Sequence, residues 1–99
     1  MVIEFLTFTV PVERRAAFLA RDAQIWTAGL AQHPGYLGKE IWAAADDPTQ
    51  VTCVIRWASQ AEWKAFPESR IKELDAQMGD LLMPVSGVRT FEVVPAAGS

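Results

Sequence analysis

The chain has 99 residues, a formal net charge of −3 and 51% hydrophobic residues, with four Trp, one Cys, one His and no Asn. This describes one globular domain that buries about 65% of its unfolded surface without disulfides or a structural metal. The acidic balance excludes a nucleic-acid surface and a polybasic membrane contact, a lone Cys53 excludes an internal disulfide and a Cys-based zinc site, and no apolar run approaches the ~20 residues of a membrane span.

Residues 2–10 are β-rich and end at Pro11. Glu4 interrupts this apolar stretch, and neither a basic n-region nor a small-residue cleavage site accompanies it, so a soluble cytoplasmic protein is expected. From residue 12 to 33, Phe18, Leu19, Ile25, Trp26 and Leu30 recur at helical spacing, with Ala16, Ala17, Ala20, Ala23 and Ala28 adding propensity. Pro34-Gly35 stops that helix. Residues 36–44 and 51–57 read as strands joined by the reverse turn Asp46-Asp47-Pro48-Thr49-Gln50. Ser59-Gln60-Ala61-Glu62 is a capping box that opens a short helix running through Phe66. Pro67 breaks it, and Ile71, Leu74, Met78, Leu81 and Leu82 mark a second helical segment ending at Pro84. Residues 86–94 form a last strand.

The order β-α-β-β-α-α-β predicts an α+β, ferredoxin-like fold: a four-stranded antiparallel sheet with helices on one face. A single domain is expected over 1–94, with a flexible tail at 95–99. Alternation places Ile3, Phe5 and Thr7 with Leu37, Lys39, Ile41, Val51, Cys53, Ile55 and Trp57 on one face. The other face then takes Val2, Leu6, Phe8, Tyr36, Trp42, Val54, Phe91 and Val93. Both faces are apolar, and the helices cover only one. A second copy is the cheapest cover for the other, giving a two-fold homodimer. On that same second face the alternation puts Glu4, Glu40, Arg56 and Arg89, either as a compensated network near the interface or snorkelling to water at strand ends.

Three residue types invite a chemical reading. His33 precedes Pro34-Gly35, where an imidazolium is favoured by the helix dipole and caps carbonyls; the alternative is a general acid or base. Asp22 shares a helix face with Phe18, Ile25 and Trp26, so it is either a desolvated general base or an edge residue paired with Arg15, Arg21 or a strand residue. The four Trp are either core or the wall of a pocket for a planar ligand. Cys53 lacks an evident His partner and reads as a buried thiol. The glycines are scattered singly, so no phosphate loop, dinucleotide fingerprint or nucleophile elbow is present, and no cofactor or metal is expected.

PGYLGKEIW leading into DDPTQVTCVIRWASQAEWKAF resembles the antibiotic-biosynthesis-monooxygenase-like superfamily of dimeric α+β barrels. MVIEFLTFTV, DAQIWTAGLAQHPGYLGKEIW and VIRWASQAEW are more closely similar to an uncharacterised family of short, mostly cyanobacterial proteins within it. The resemblance spans about residues 1–94. It implies a pocket between sheet and helices, bordered by Trp26, Trp57 and Trp63, with Thr7, Asp22, Lys39 and Thr90 as polar candidates. It also implies a cofactor-independent monooxygenase acting on a small planar apolar substrate, with Asp22 or His33 removing a proton. The haem-degrading branch uses an Asn on the first strand, a Trp in the second helix and a His further on. This chain has no Asn, Thr7 is the nearest polar candidate on that strand, and Phe66 and Ala76 fall where the Trp and His belong, which disfavours haem degradation. The competing reading is a non-catalytic dimer that binds a small apolar or aromatic ligand or serves a structural role.

Overall fold

The computed structural model describes residues 1–98. Strands β1 (Val2–Thr9), β2 (Tyr36–Ala43), β3 (Gln50–Trp57) and β4 (Val85–Glu92) form one antiparallel sheet in the order β2-β3-β1-β4. Helix α1 (residues 15–30) connects β1 to β2, and α2 (Gln60–Lys64) and α3 (Glu68–Met78) connect β3 to β4. This is the expected α+β ferredoxin-like arrangement in the expected chain order. Of the tail expected at 95–99, residues 95–98 carry no helix or strand, and Ser99 lies outside the described residues. Among the described residues no helix is long and apolar enough to cross a membrane.

Strand pairing decides which face each side chain takes. Val2 pairs with Trp57, Glu4 with Ile55, Leu6 with Cys53 and Phe8 with Val51. Partners in an antiparallel pair point to the same side, so Val2, Glu4, Leu6 and Phe8 join the Val51–Cys53–Ile55–Trp57 row beneath the helices. Ile3, Phe5 and Thr7 turn to the outer face with Thr52, Val54 and Arg56. The alternation had β1 in the opposite phase, because both of its parities are apolar and only the register separates them. A bulge between Tyr36 and Gly38 makes a second departure: it brings Tyr36 opposite Trp57, on the same side as Lys39 rather than the other.

The core divides in two under the helices. Val10, Phe18, Val51, Met78 and Met83 pack at one end, and Leu30, Ile55 and Trp57 at the other. Trp26, partly buried, packs against both. Helix α1 is not uniform: Arg15–Asp22 is α-helical, Ala23–Thr27 winds as a π-helical turn, and Ala28–Leu30 returns to α. The π turn inserts an extra residue per turn and re-aims the side chains beyond it. Past this turn, Gly29 lets α3 approach closely, since a Cβ there would lie 2.8 Å from the Leu74 side chain.

At the α1–β2 corner Gly35 has φ +89, a conformation that costs glycine nothing. A Cβ on it would fall 2.5 Å from the Glu62 side chain of α2. The Ser59 cap holds α2 there. Its hydroxyl accepts from the Glu62 amide at 3.1 Å, and donates to the Glu62 carboxylate at 3.1 Å. The reciprocal arm of the capping box thus reaches the hydroxyl. Gly35→Ala is expected to destabilise by more than about 1 kcal/mol, because strain and overlap act together. Urea denaturation checks this, and a variant as stable as the wild type would contradict the tight corner.

Candidate functional site

The helices stand away from the middle of the sheet and leave a cavity of about 710 Å³. Its floor comes from β1, β2 and β3, with Glu4, Leu6, Phe8, Lys39, Cys53, Ile55 and Trp57. Helix α1 gives Phe18, Asp22, Trp26 and Leu30, while α2 and the turn after it give Trp63, Lys64 and Phe66. From α3 come Ile71, Asp75 and Met78, and the segment Leu82, Met83, Pro84, Val85 leads into β4. The volume and the mainly apolar lining with a few polar groups are those of a small-molecule site.

The polar groups are ordered by the strand register. Glu4, Ile55 and Lys39 lie side by side across β1, β3 and β2, with Thr90 of β4 opposite Glu4. Asp22 reaches down from α1 to this row, its Oδ2 2.6 Å from Lys39 Nζ. Both side chains are buried, at 8% and 4% exposure. Two charges withdrawn from water hold each other here, and removing either would leave the other without compensation. Asp22 therefore pairs with a strand residue, one of its expected partners, but inside the molecule and not at a stripe edge.

Glu4 belongs to this floor and not to the outer face where the alternation had put it. Its Oε1 accepts from Trp57 Nε1–H at 3.2 Å, and the Trp63 indole also donates to the carboxyl. Burial pushes the Glu4 carboxyl above the usual glutamate range, against the opposing pull of the two indole donors, Lys39 and Lys64. Sequence reasoning missed Glu4 as a site residue. The available signal was a single charge in the row Val2, Glu4, Leu6, Phe8 opposite the VxCxIxW strand.

The three Trp expected to border the pocket, Trp26, Trp57 and Trp63, line it, as do Asp22 and Lys39 among the polar candidates. Trp26 Nε1–H donates to Asp75 Oδ1 at 3.1 Å and ties α1 to α3 across the cavity. Trp57 is 1% exposed and so is both core and wall. Thr7 is a correction. It faces the outer side, where its hydroxyl lies 3.4 Å from that of Thr52, because it shares the parity of Phe5 and not of Glu4. Thr90 shares the cavity-side parity but does not line the cavity.

His33 is not brought to Asp22. It opens on a separate, shallower depression with Gly29, Phe66 and Arg70. Its Nε2 lies 3.1 Å from the Glu62 carbonyl; a carbonyl only accepts, so Nε2 carries the proton and donates. Its ring meets the rings of Trp57 and Phe66 edge-on at 5.7 and 5.0 Å. His33 thus caps a carbonyl, as its position suggested, but one in α2 instead of its own helix. Cys53 faces the cavity, where burial pushes its thiol up to about 11, which keeps it protonated and unreactive.

The outer face is the other apolar surface. Phe5 meets Trp42 and Phe91 edge-on at 5.8 and 5.7 Å, forming an aromatic strip across the sheet. Trp42 is 48% exposed. Of the four charges expected there, Arg56 pairs with Glu40 and the Arg89 guanidinium lies 4.7 Å from the Phe91 ring centroid. Glu4, the fourth, is on the opposite side.

A sequence model of the antibiotic biosynthesis monooxygenase family matches residues 1–71. No curated protein matches the chain significantly by sequence. Solved structures share the fold across nearly the whole length. An antibiotic biosynthesis monooxygenase homologue from Bordetella bronchiseptica superposes with a TM-score of 0.77 at 19% identity, covering 95% of this chain and 97% of that one. A similar homologue from Nitrosomonas europaea gives 0.72 at 17%, covering 96% and 100%. A point variant of SnoaB from Streptomyces nogalater, a cofactor-independent oxygenase, gives 0.69 at 16%, covering 99% and 97%.

The buried pair yields a direct test. Lys39→Met strands the Asp22 carboxylate and is expected to cost about 3–5 kcal/mol, whereas the double variant Asp22→Leu/Lys39→Met recovers most of that loss. Urea denaturation of the two variants measures the difference. A Lys39→Met cost no larger than that of a surface pair would contradict the burial described.

Proposed function

This chain belongs to the antibiotic biosynthesis monooxygenase family, and we propose that it is a cofactor-independent oxygenase acting on a small planar apolar substrate in the cavity between sheet and helices. The observation that carries this reading is the cavity itself: about 710 Å³, walled by aromatic rings and floored by ionisable groups that a packed core would not retain. Trp26 and Phe66 lie with ring centroids 6.2 Å apart and an interplanar angle of 30°, offering a broad aromatic wall for a flat ring. The Asp22–Lys39 pair fixes a polar edge that orients such a ring, and the surrounding side chains keep water from the reacting atoms. His33, facing another depression, has no part in this reading, and Asp22 serves it as half of an ion pair.

One observation favours the alternative of a non-catalytic ligand-binding or structural dimer. Among the described residues no buried side-chain nitrogen or oxygen lacks a partner, so the floor is satisfied without a ligand. Oxygen uptake separates the two. A panel of two- and three-ring phenols and hydroquinones, assayed with an oxygen electrode, is expected to include compounds consumed by the wild type and not by Ile71→Trp, which narrows the cavity. Binding without uptake throughout the panel would favour the binder, and absence of both would overturn the site.

In the same reading one unit, residues 1–94, pairs with a second copy through the outer face, where Phe5, Trp42 and Phe91 form an uncovered apolar strip. Sedimentation at micromolar concentration is expected to give twice the 10.9 kDa chain mass, and Trp42→Glu to give the monomer. A stable wild-type monomer would sink the pairing.

A further inference from the structure

We propose that Glu4 takes the proton from a hydroxyl on the substrate's planar ring, with the Trp57 and Trp63 indoles holding its carboxylate in position. This rests on the reading of the cavity as a substrate site. Glu4 is the exception in its own strand. On the side of β1 that faces the helices, positions 2, 6 and 8 are Val, Leu and Phe. A fourth apolar side chain would serve packing as well, whereas a carboxyl must be supplied with donors to stay there. The fold supplies them. Trp57 Nε1–H donates at 3.2 Å, and the Trp63 indole donates from α2. Indoles donate only, and an ionised carboxylate has about four acceptor sites. Two indoles therefore leave acceptor capacity on a group that lines the cavity.

The neighbouring groups single out Glu4 for this task. Asp22, on α1, is held by the Lys39 ammonium of β2 at 2.6 Å; protonating it would break a buried ion pair. Asp75, on α3, accepts from Trp26. The Cys53 thiol of β3 stays neutral, β4 presents only Thr90 opposite Glu4, and His33 lies outside the cavity. Glu4 is held by neutral donors, with Lys39 and Lys64 acting on it only through space. Burial raises its affinity for a proton, which suits a carboxylate that must accept one. In the step, the substrate O–H bond breaks and its electron pair stays on oxygen and spreads into the ring. The proton forms a new O–H bond on the Glu4 carboxylate, and the total charge of the pair is unchanged.

The test uses the full chain and 2-naphthol, a flat two-ring phenol whose neutral and ionised forms fluoresce differently. Glu4→Gln keeps an oxygen that accepts from the indoles but cannot take the proton. Wild type is expected to bind 2-naphthol about tenfold more tightly than E4Q near neutral pH. On acidification the wild-type affinity should fall as Glu4 gains its proton, at a higher pH than for an ordinary glutamate, while that of E4Q stays level. If E4Q binds equally well with the same pH dependence, Glu4 is an anchor for the indoles and the proposal fails while the cavity reading stands. If wild type binds no naphthol at any pH, both fail together. Should E4Q not fold, Trp63→Phe gives the second measurement. Losing one donor must move the midpoint of the wild-type binding profile to higher pH, and an unmoved midpoint overturns the proposal.

Discussion

The pairing of β1 with β3 is the constraint on which the rest of this molecule depends. Setting Val2 against Trp57 places Glu4 beside Ile55, and the bulged pairing of β2 brings Lys39 to the same level. The result is one row across the sheet that carries a carboxyl and an ammonium, flanked by an aromatic row at Trp57 and Tyr36 and an apolar row at Leu6, Cys53 and Ile41. A row of charges beneath helices must be compensated from above. Asp22 meets that requirement from α1, and Glu4 is met by the Trp63 indole from α2 together with the Trp57 indole within the sheet. The π-helical turn begins at the residue after Asp22, so the helix changes its winding just where it has reached down to the sheet. From there Trp26 faces Asp75 across the cavity.

The two faces of the sheet answer different physical problems. Beneath the helices, charge is buried and each group has a specific partner. On the outside, an aromatic strip of Phe5, Trp42 and Phe91 remains in contact with solvent, with Glu40 and Arg56 paired beside it. A strip of that kind on a chain of this size is the kind of surface that a second molecule covers. The cavity and the strip lie back to back, separated only by the sheet, so β1 and β3 contribute to both. Changes at even positions of β1 act on the cavity and changes at odd positions on the outer face.

Much of this was legible in the sequence because it is written in local chemistry. Pro34-Gly35 ends α1, Ser59 and Glu62 open α2, and strand alternation with the β-α-β-β-α-α-β order leads to the sheet. Trp57 at the end of β3 and Trp63 in the short α2 fall on the cavity because those elements place them there, and Trp26 because it lies on the apolar stripe of α1. The phase of β1 was not legible. Ile3, Phe5 and Thr7 make as plausible an inner row as Val2, Leu6 and Phe8, and hydrophobicity alone does not choose between them. The choice comes from long-range register, which also moved Thr7 outward and Glu4 inward. The bulge beside Tyr36 had one sequence mark, Gly38, which takes φ +153 there, whereas the π turn is decided by packing and has no proline or glycine within it to announce it. His33 was read as a cap from its place in the chain, but its partner, the Glu62 carbonyl, is brought to it only by the fold.

Whether the charged row meets a ligand is therefore the central question for this molecule. A crystal structure of the chain with 2-naphthol tests this most directly. It is predicted to show the naphthyl ring in the cavity between Trp26, Phe66 and the sheet, with its hydroxyl within hydrogen-bond distance of the Glu4 carboxylate and the Asp22–Lys39 pair intact. A ring bound outside the cavity, or a hydroxyl turned away from Glu4 toward Asp22 and Lys39, would contradict it.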